Sequence, residues 1–293
     1  INLAIDEKSP YTGGHCQRVP ALTMMIAEAV NATAEGPLAA FSMSADDLYE
    51  LKIAGLLHDC GKVTTPVHVV DKATKLQTIF DRIGLIDTRF EVIKRDAQIA
   101  TLRKLLDMRD KVDPEAEAAS WAEYWREQGE MDEERDFLRR VNTGSEAMSI
   151  DDQQRVRDIG VHRRWRNLAG VDADFLTADE IENLTIRAGT LTAGEREIIN
   201  HHIVATIKML EALPWPKHLK HVPEYAGGHH ERMDGKGYPK GLTREQMSWQ
   251  ARMMGIADIF EALTAKDRPY KQGMKLSQAI DIMKKFSAGG HID

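Results

Sequence analysis

Two separated clusters in this chain have the residue types that do metal chemistry. One is His58-Asp59-Cys60-Gly61-Lys62; the other, far downstream, runs from His229-His230-Glu231 through Gly235-Lys236-Gly237-Tyr238-Pro239. Adjacent histidines and a His-Asp pair offer the imidazole and carboxylate groups that hold Fe, Mn or Zn. Asp258, in Gly255-Ile256-Ala257-Asp258, adds a carboxylate inside an apolar stretch, a costly placement unless the group is paired or metal-bound. The Gly-Lys-Gly-Tyr-Pro segment cannot continue a helix, because its glycines free the backbone and Pro239 has no N–H to donate. It reads as a shaped loop beside the ligands.

The elements that must position these groups read as helices nearly throughout. Val19, Leu22, Met25, Ile26, Ala29 and Val30 recur at helical spacing and stop near Gly36-Pro37. Ser44 precedes an apolar face through Leu48, Leu51 and Leu56-Leu57, which places His58 and Asp59 at a helix end. Thr192 and Glu195 form a capping-box pattern ahead of Ile198, Ile199, Ile203 and Met209-Leu210. Ala251 to Ala265 and Ser277 to Met283 supply two more helices, and no segment alternates as a strand should.

The middle of the chain has a different texture. Ile79, Ile83, Ile86, Phe90, Ile93, Ala97 and Ala100 form a heptad seam flanked by charge. A helix start at Asp113-Pro114-Glu115 and a break at Asn142-Thr143-Gly144-Ser145 bound its partner. Two readings follow: a helical hairpin that closes within the chain, or an arm for homodimerisation or signal reception.

Composition excludes several classes. A net charge of -7 argues against a basic nucleic-acid surface, although bound cations can reverse the field locally for an anionic substrate. Cys16 and Cys60 are the only cysteines, too few for a disulfide scaffold and too far apart for a zinc ribbon. No apolar run approaches a membrane span, so no membrane contact is expected of this stretch, and a cytoplasmic location is.

Together the motifs resemble the HD-GYP family of metal-dependent phosphodiesterases, which open cyclic dinucleotides. The resemblance runs over residues 10–72, through Gly61-Lys62, Pro66 and Lys72, and resumes at Ala188-Gly189-Thr190-Leu191-Thr192. In common members these phrases lie within a few dozen residues of each other. The expectation is therefore an all-α, HD-type helical bundle from residues 1–72 and 186–293, with an inserted helical arm at 73–185.

What the resemblance implies for the site is specific. His15 matches the first family histidine; His201 and His202 compete for the helix ligand, and aligning Met209-Leu210 on the family's apolar pair selects His202. The implied metal ligands are His15, His58, Asp59, His202, His229, His230 and Asp258, with Asp59 bridging. Asp59 and Lys62 are the implied catalytic groups. Lys62, Tyr238, Arg268 and Lys271 are implied substrate contacts, and Glu231 a partner that orients a histidine. One extra residue separates Asp258 from Arg268 relative to common members. Two divalent ions are expected, iron first and manganese second, because Tyr11 stands where trinuclear members carry Glu. The implied reaction is hydrolysis of cyclic di-GMP to linear pGpG, with GMP as a further product. Alternatives are hydrolysis of 3′,3′-cyclic GMP-AMP, or a catalytically silent nucleotide-sensing module. A fused sensory or receiver module upstream is a further implied partner.

Overall fold

The computed structural model describes residue 5 and residues 7–108, 114–144, 147–266 and 273–293. In chain order its helices are α1 (Pro10–Asn31), α2 (Ala45–Leu57), α3 (Val67–Val70), α4 (Ile83–Asp107), α5 (Pro114–Asn142) and α6 (Ile150–His162). They continue with α7 (Ala178–Leu184), α8 (Ala193–Glu211), α9 (Val222–Gly227), α10 (Trp249–Thr264) and α11 (Leu276–Ala288). The fold class is all-α. The expectation of no strand is corrected by one small hairpin, β1 (Arg164–Arg166) and β2 (Asp172–Asp174), paired antiparallel with Trp165 opposite Ala173. Strands of three residues are too short for alternation to stand out in a sequence. The chain forms two compact units, Ile1–Asp71 with Ala193–Asp293, and Lys72–Thr192.

The first unit is built so that helix ends meet. Ser44 and Asp47 close a reciprocal capping box at the start of α2: Asp47 N–H donates to Ser44 Oγ at 3.2 Å, and Ser44 N–H to the Asp47 carboxylate at 2.8 Å. The far end of α2 runs into His58 and Asp59, then a 3-10 turn at Cys60–Thr64. That turn packs on α8 through Gly61, whose N–H donates to Thr206 Oγ1 at 2.9 Å. A Cβ at Gly61 would lie 1.9 Å from the His202 carbonyl oxygen, so only glycine permits this approach. Leu51, Ala54, Cys60, Leu210, Val222 and Met254 form the fully buried core beneath it.

The second unit has its own core. Ion pairs Asp87–Arg139, Lys94–Asp132 and Lys104–Glu123 run in opposite sequence directions, so α4 and α5 are antiparallel. Ile86, Phe90 and Ile93 of α4 are buried with Met131, Phe137 and Leu138 of α5, and the Phe90 ring lies 4.5 Å from that of Phe175. The heptad seam is shorter than expected. Ile79 precedes the helix and is 95% exposed, and Ala100 is exposed at the other end. Periodicity cannot tell that Arg82 stands before the first helical residue. The remaining seam packs against α5 of the same chain.

This unit also buries charge. The Arg89 guanidinium forks onto Glu180 at 2.7 and 2.9 Å, and Glu180 closes a capping box with Thr177. Lys75 is 1% exposed; its ammonium donates to the Leu184 carbonyl at 2.9 Å, with Met148 Sδ at 3.3 Å. Burial lowers its pKa to about 8. The unfolded chain therefore holds this proton up to about pH 10.5, while the folded chain releases it near 8. Stability from Lys75 rises with pH across that window, by up to about 1.4 kcal/mol per unit for one proton. Urea unfolding of Lys75→Met at pH 7.5 to 10.5 should show this increment gone; an unchanged slope against wild type would refute the assignment.

Candidate metal centre

Asp59 lies at the middle of the site, 2% exposed, with its oxygens turned to different partners. Oδ2 stands 3.0 Å from His15 Nε2, 3.3 Å from His58 Nε2 and 2.6 Å from Lys62 Nζ. Oδ1 stands 3.1 Å from His202 Nε2. Asp258 approaches from α10, its Oδ1 3.2 Å from His15 Nε2. His229 and His230 complete the enclosure from the turn after α9, with ring centroids 4.2 Å apart. The His229 ring is 4.8 Å from that of His58, and the His230 ring 5.3 Å from that of His202. All seven sequence-predicted ligands thus converge. His202 is buried at the centre and His201 is exposed.

The imidazoles are aimed by their other nitrogen. His58 Nδ1 faces the Gly55 carbonyl at 2.7 Å and His229 Nδ1 the Ala226 carbonyl at 2.7 Å. His202 Nδ1 faces the carbonyl of Ile199, the same three-residue step back. If each Nδ1 donates there, each Nε2 presents a lone pair inward. His15 is the exception: its Nδ1 lies 2.6 Å from Glu261 Oε2. Glu261, buried at 1% exposure, was not picked out from sequence; the available signal was a second acid three residues after Asp258 on the same apolar helix.

Two triads have ligand atoms within 4.8 Å of one another, His15-His58-Asp59 and His202-His229-His230. Asp59 Oδ1, His202 Nε2 and His229 Nε2 are buried and lack a hydrogen bond of acceptable geometry. Such orphaned atoms are costly in a dry interior, and a cation among them would satisfy all three. The donor set of imidazole and carboxylate fits a divalent transition metal.

The electrostatics agree. Burial works to raise the Asp59 pKa, but Lys62, His58 and the close approach of His15 and His202 hold it well below the carboxylate range. Asp258 is held low in the same way, burial being outweighed mainly by His15. Burial alone would lower His15, yet hydrogen bonds to Asp258, Asp59 and Glu261 raise it to about 10. Burial instead keeps His229 neutral and brings His230 down to about 4. Neutral imidazoles on one side and a surplus of carboxylate on the other are what a cation demands.

The surrounding residues divide. Lys62 reaches Asp59 from the rim, its side chain 18% exposed. The Tyr238 ring stacks on His230 at 4.9 Å, and burial first, then Asp258 and Asp59, push its hydroxyl pKa up, so it stays a donor. Glu231 is held by the loop that follows it. Its carboxylate accepts the backbone N–H groups of Lys240 and Leu242 at 2.7 and 2.8 Å, so it braces the Gly-Tyr-Pro loop, whose turning backbone leaves those donors without ladder partners. Gly237 fits because a Cβ there would come 2.4 Å from Glu231 Cα. Arg268 and Lys271 lie outside the described residues.

Comparison with known proteins gives this geometry a family. Two models described as HD domain match residues 12–139 and residues 177–293. The chain is 44% identical over 72 residues to 3′3′-cGAMP-specific phosphodiesterase 1 of Vibrio cholerae, covering 25% of this chain and 16% of that protein. It is 35% identical over 130 residues to a cyclic di-GMP phosphodiesterase of Pseudomonas aeruginosa, covering 44% and 30%. A cyclic di-GMP phosphodiesterase of Thermotoga maritima is 32% identical over 106 residues, covering 36% and 28%. The matched stretch spans less than a third of each of these relatives. With the His-Asp pair and the Gly-Tyr-Pro loop set around one buried cluster, the chain belongs to the HD-GYP family of HD-domain proteins.

Proposed function

We propose that this chain is a metal-dependent phosphodiesterase that hydrolyses cyclic di-GMP to linear pGpG, with two divalent ions held by His15, His58, Asp59, His202, His229, His230 and Asp258. The observation that carries the reading is the convergence of four buried imidazoles and the half-buried His230 on two buried carboxylates, with three ligand atoms unsatisfied. The names of the relatives support the substrate class. Iron is the first expectation for the metal and manganese the second. Ions so held supply Lewis acidity toward a phosphodiester and lower the pKa of water at neutral pH.

The chain's own groups do the rest. Lys62 Nζ, 2.6 Å from Asp59 and partly exposed, is placed to contact a non-bridging phosphate oxygen and offset its charge. Tyr238 offers a protonated hydroxyl near the cluster while its ring limits the motion of His230. Arg268 and Lys271 are proposed base and phosphate contacts on sequence grounds. A second substrate reading, 3′,3′-cyclic GMP-AMP, is favoured by the cGAMP-specific relative that is 44% identical over 72 residues.

Anaerobic purification followed by elemental analysis and product chromatography tests the whole reading. About two ions per subunit and pGpG from cyclic di-GMP are expected, and competition between the two cyclic dinucleotides ranks the substrates. His58→Ala and Asp59→Ala should each reduce turnover by at least about a thousandfold, with helicity retained and metal lost. Near-wild-type activity with full metal in either variant would sink the ligand assignment.

We assign the Lys72–Thr192 unit to assembly or regulation, since every proposed ligand lies in the other unit. Replacing residues 73–191 by short linkers of two lengths should leave metal content and product unchanged while altering oligomeric state by light scattering. Helical, soluble variants that have lost metal with both linkers would contradict this assignment.

A further inference from the structure

The histidines of the site are not backed alike. Three point Nδ1 at a main-chain carbonyl three residues back, whereas His15 points it at the Glu261 carboxylate, 2.6 Å away. Glu261 is itself held from the other side. Arg18 Nε and Nη2 both donate to Glu261 Oε1, at 2.9 and 2.6 Å. The arrangement has a simple origin in two helix faces. His15 and Arg18 are three residues apart on α1; Asp258 and Glu261 are three apart on α10. Each pair therefore projects from one side of its helix, and the two sides interlock as Asp258–His15–Glu261–Arg18.

We propose that Glu261 is the positioning residue for His15, with Arg18 anchoring it, and that this carboxylate backing fixes the affinity of the ion on the His15-His58-Asp59 side. The inference rests on the metal reading above. A carboxylate on Nδ1 holds the proton there, commits Nε2 to the metal and makes the ring a stronger donor than a carbonyl does. It also sets the direction of ligation. With Nδ1 turned to Glu261, His15 can reach the centre only through Nε2, and Glu261 stands behind the ring rather than among the ligand atoms. The ions on the two sides are then unequally supported: the His202-His229-His230 side has two carbonyl-backed rings and no carboxylate behind either.

The test uses the full 293-residue chain and its variants Glu261→Ala and Glu261→Gln. Stepwise metal affinity is read by competition with a chromophoric chelator, using Mn²⁺ and Zn²⁺, and melting of the metal-stripped proteins is read in parallel. Glu261→Ala should weaken one binding step by about 10- to 100-fold and leave the other within about threefold. Glu261→Gln keeps an acceptor for Nδ1 and should recover most of that loss. Arg18→Met should fall between the two. Equal weakening of both steps, no weakening in Glu261→Ala, or loss in Glu261→Gln as large as in Glu261→Ala would overturn the proposal. A wild-type chain that binds no metal would overturn the underlying reading too, and is told apart because it fails before any variant is compared.

Discussion

A buried carboxylate shared between two sets of imidazoles dictates most of what surrounds it. Taking an ionised group out of water costs several kcal/mol unless partners replace the solvent. Asp59 meets that condition at one oxygen with Lys62 at 2.6 Å and His15 at 3.0 Å, while its other oxygen faces His202 at 3.1 Å without a hydrogen bond. Reaching His202 requires α8 to pass very close to the turn after α2. That is why Gly61, with no room for a methyl group against the His202 carbonyl, follows the His-Asp pair so closely. The backbone contact and the ligand geometry are one constraint seen from two sides.

Around this centre the structure spends its hydrogen bonds on orientation. Main-chain carbonyls hold the rings of His58, His202 and His229, and a carboxylate holds His15. His230 is steadied by the face of Tyr238. The Gly-Tyr-Pro loop in turn depends on Glu231, which gathers two of its backbone donors. Asp234 contributes by accepting the Lys236 N–H at 3.0 Å and pairing with Arg232. A loop so braced can carry Tyr238 at a constant distance from the cluster without regular secondary structure.

The residues that cluster at the centre were legible in the sequence because their motifs are local. His-Asp at a helix end and His-His before a glycine-rich loop are readable without knowing what packs on them. The choice of His202 over His201 comes from the resemblance, by aligning Met209-Leu210 on the family's apolar pair; in the structure His202 is buried and His201 exposed. What failed to show was anything defined by a distant partner. Glu261 in an apolar helix could have paired with anything, and only the crossing of α1 and α10 identifies His15 and Arg18. Glu231 sits beside the histidines in sequence, yet its oxygens reach forward to Lys240 and Leu242. The heptad seam was real between Ile83 and Ala97 but was extended too far at both ends, since spacing alone does not mark where a helix starts.

The insertion is stitched shut near its own ends: the Thr190 hydroxyl donates to the Lys72 carbonyl at 2.9 Å, both groups lying in the second unit. Lys72 Nζ adds a bond to Asn183 at 2.8 Å. This alters how the site is assembled during folding. His15, His58 and Asp59 precede the insertion, and His202, His229, His230 and Asp258 follow it. As an open coil, the intervening chain would have to be closed entropically each time the two halves meet, a cost that grows slowly, by roughly 0.6 kcal/mol per doubling of length. Once the second unit has folded, that closure is already made within it, and the halves are joined by a tether of a few residues. The insertion thus adds little topological delay to the centre, provided its own hairpin forms first.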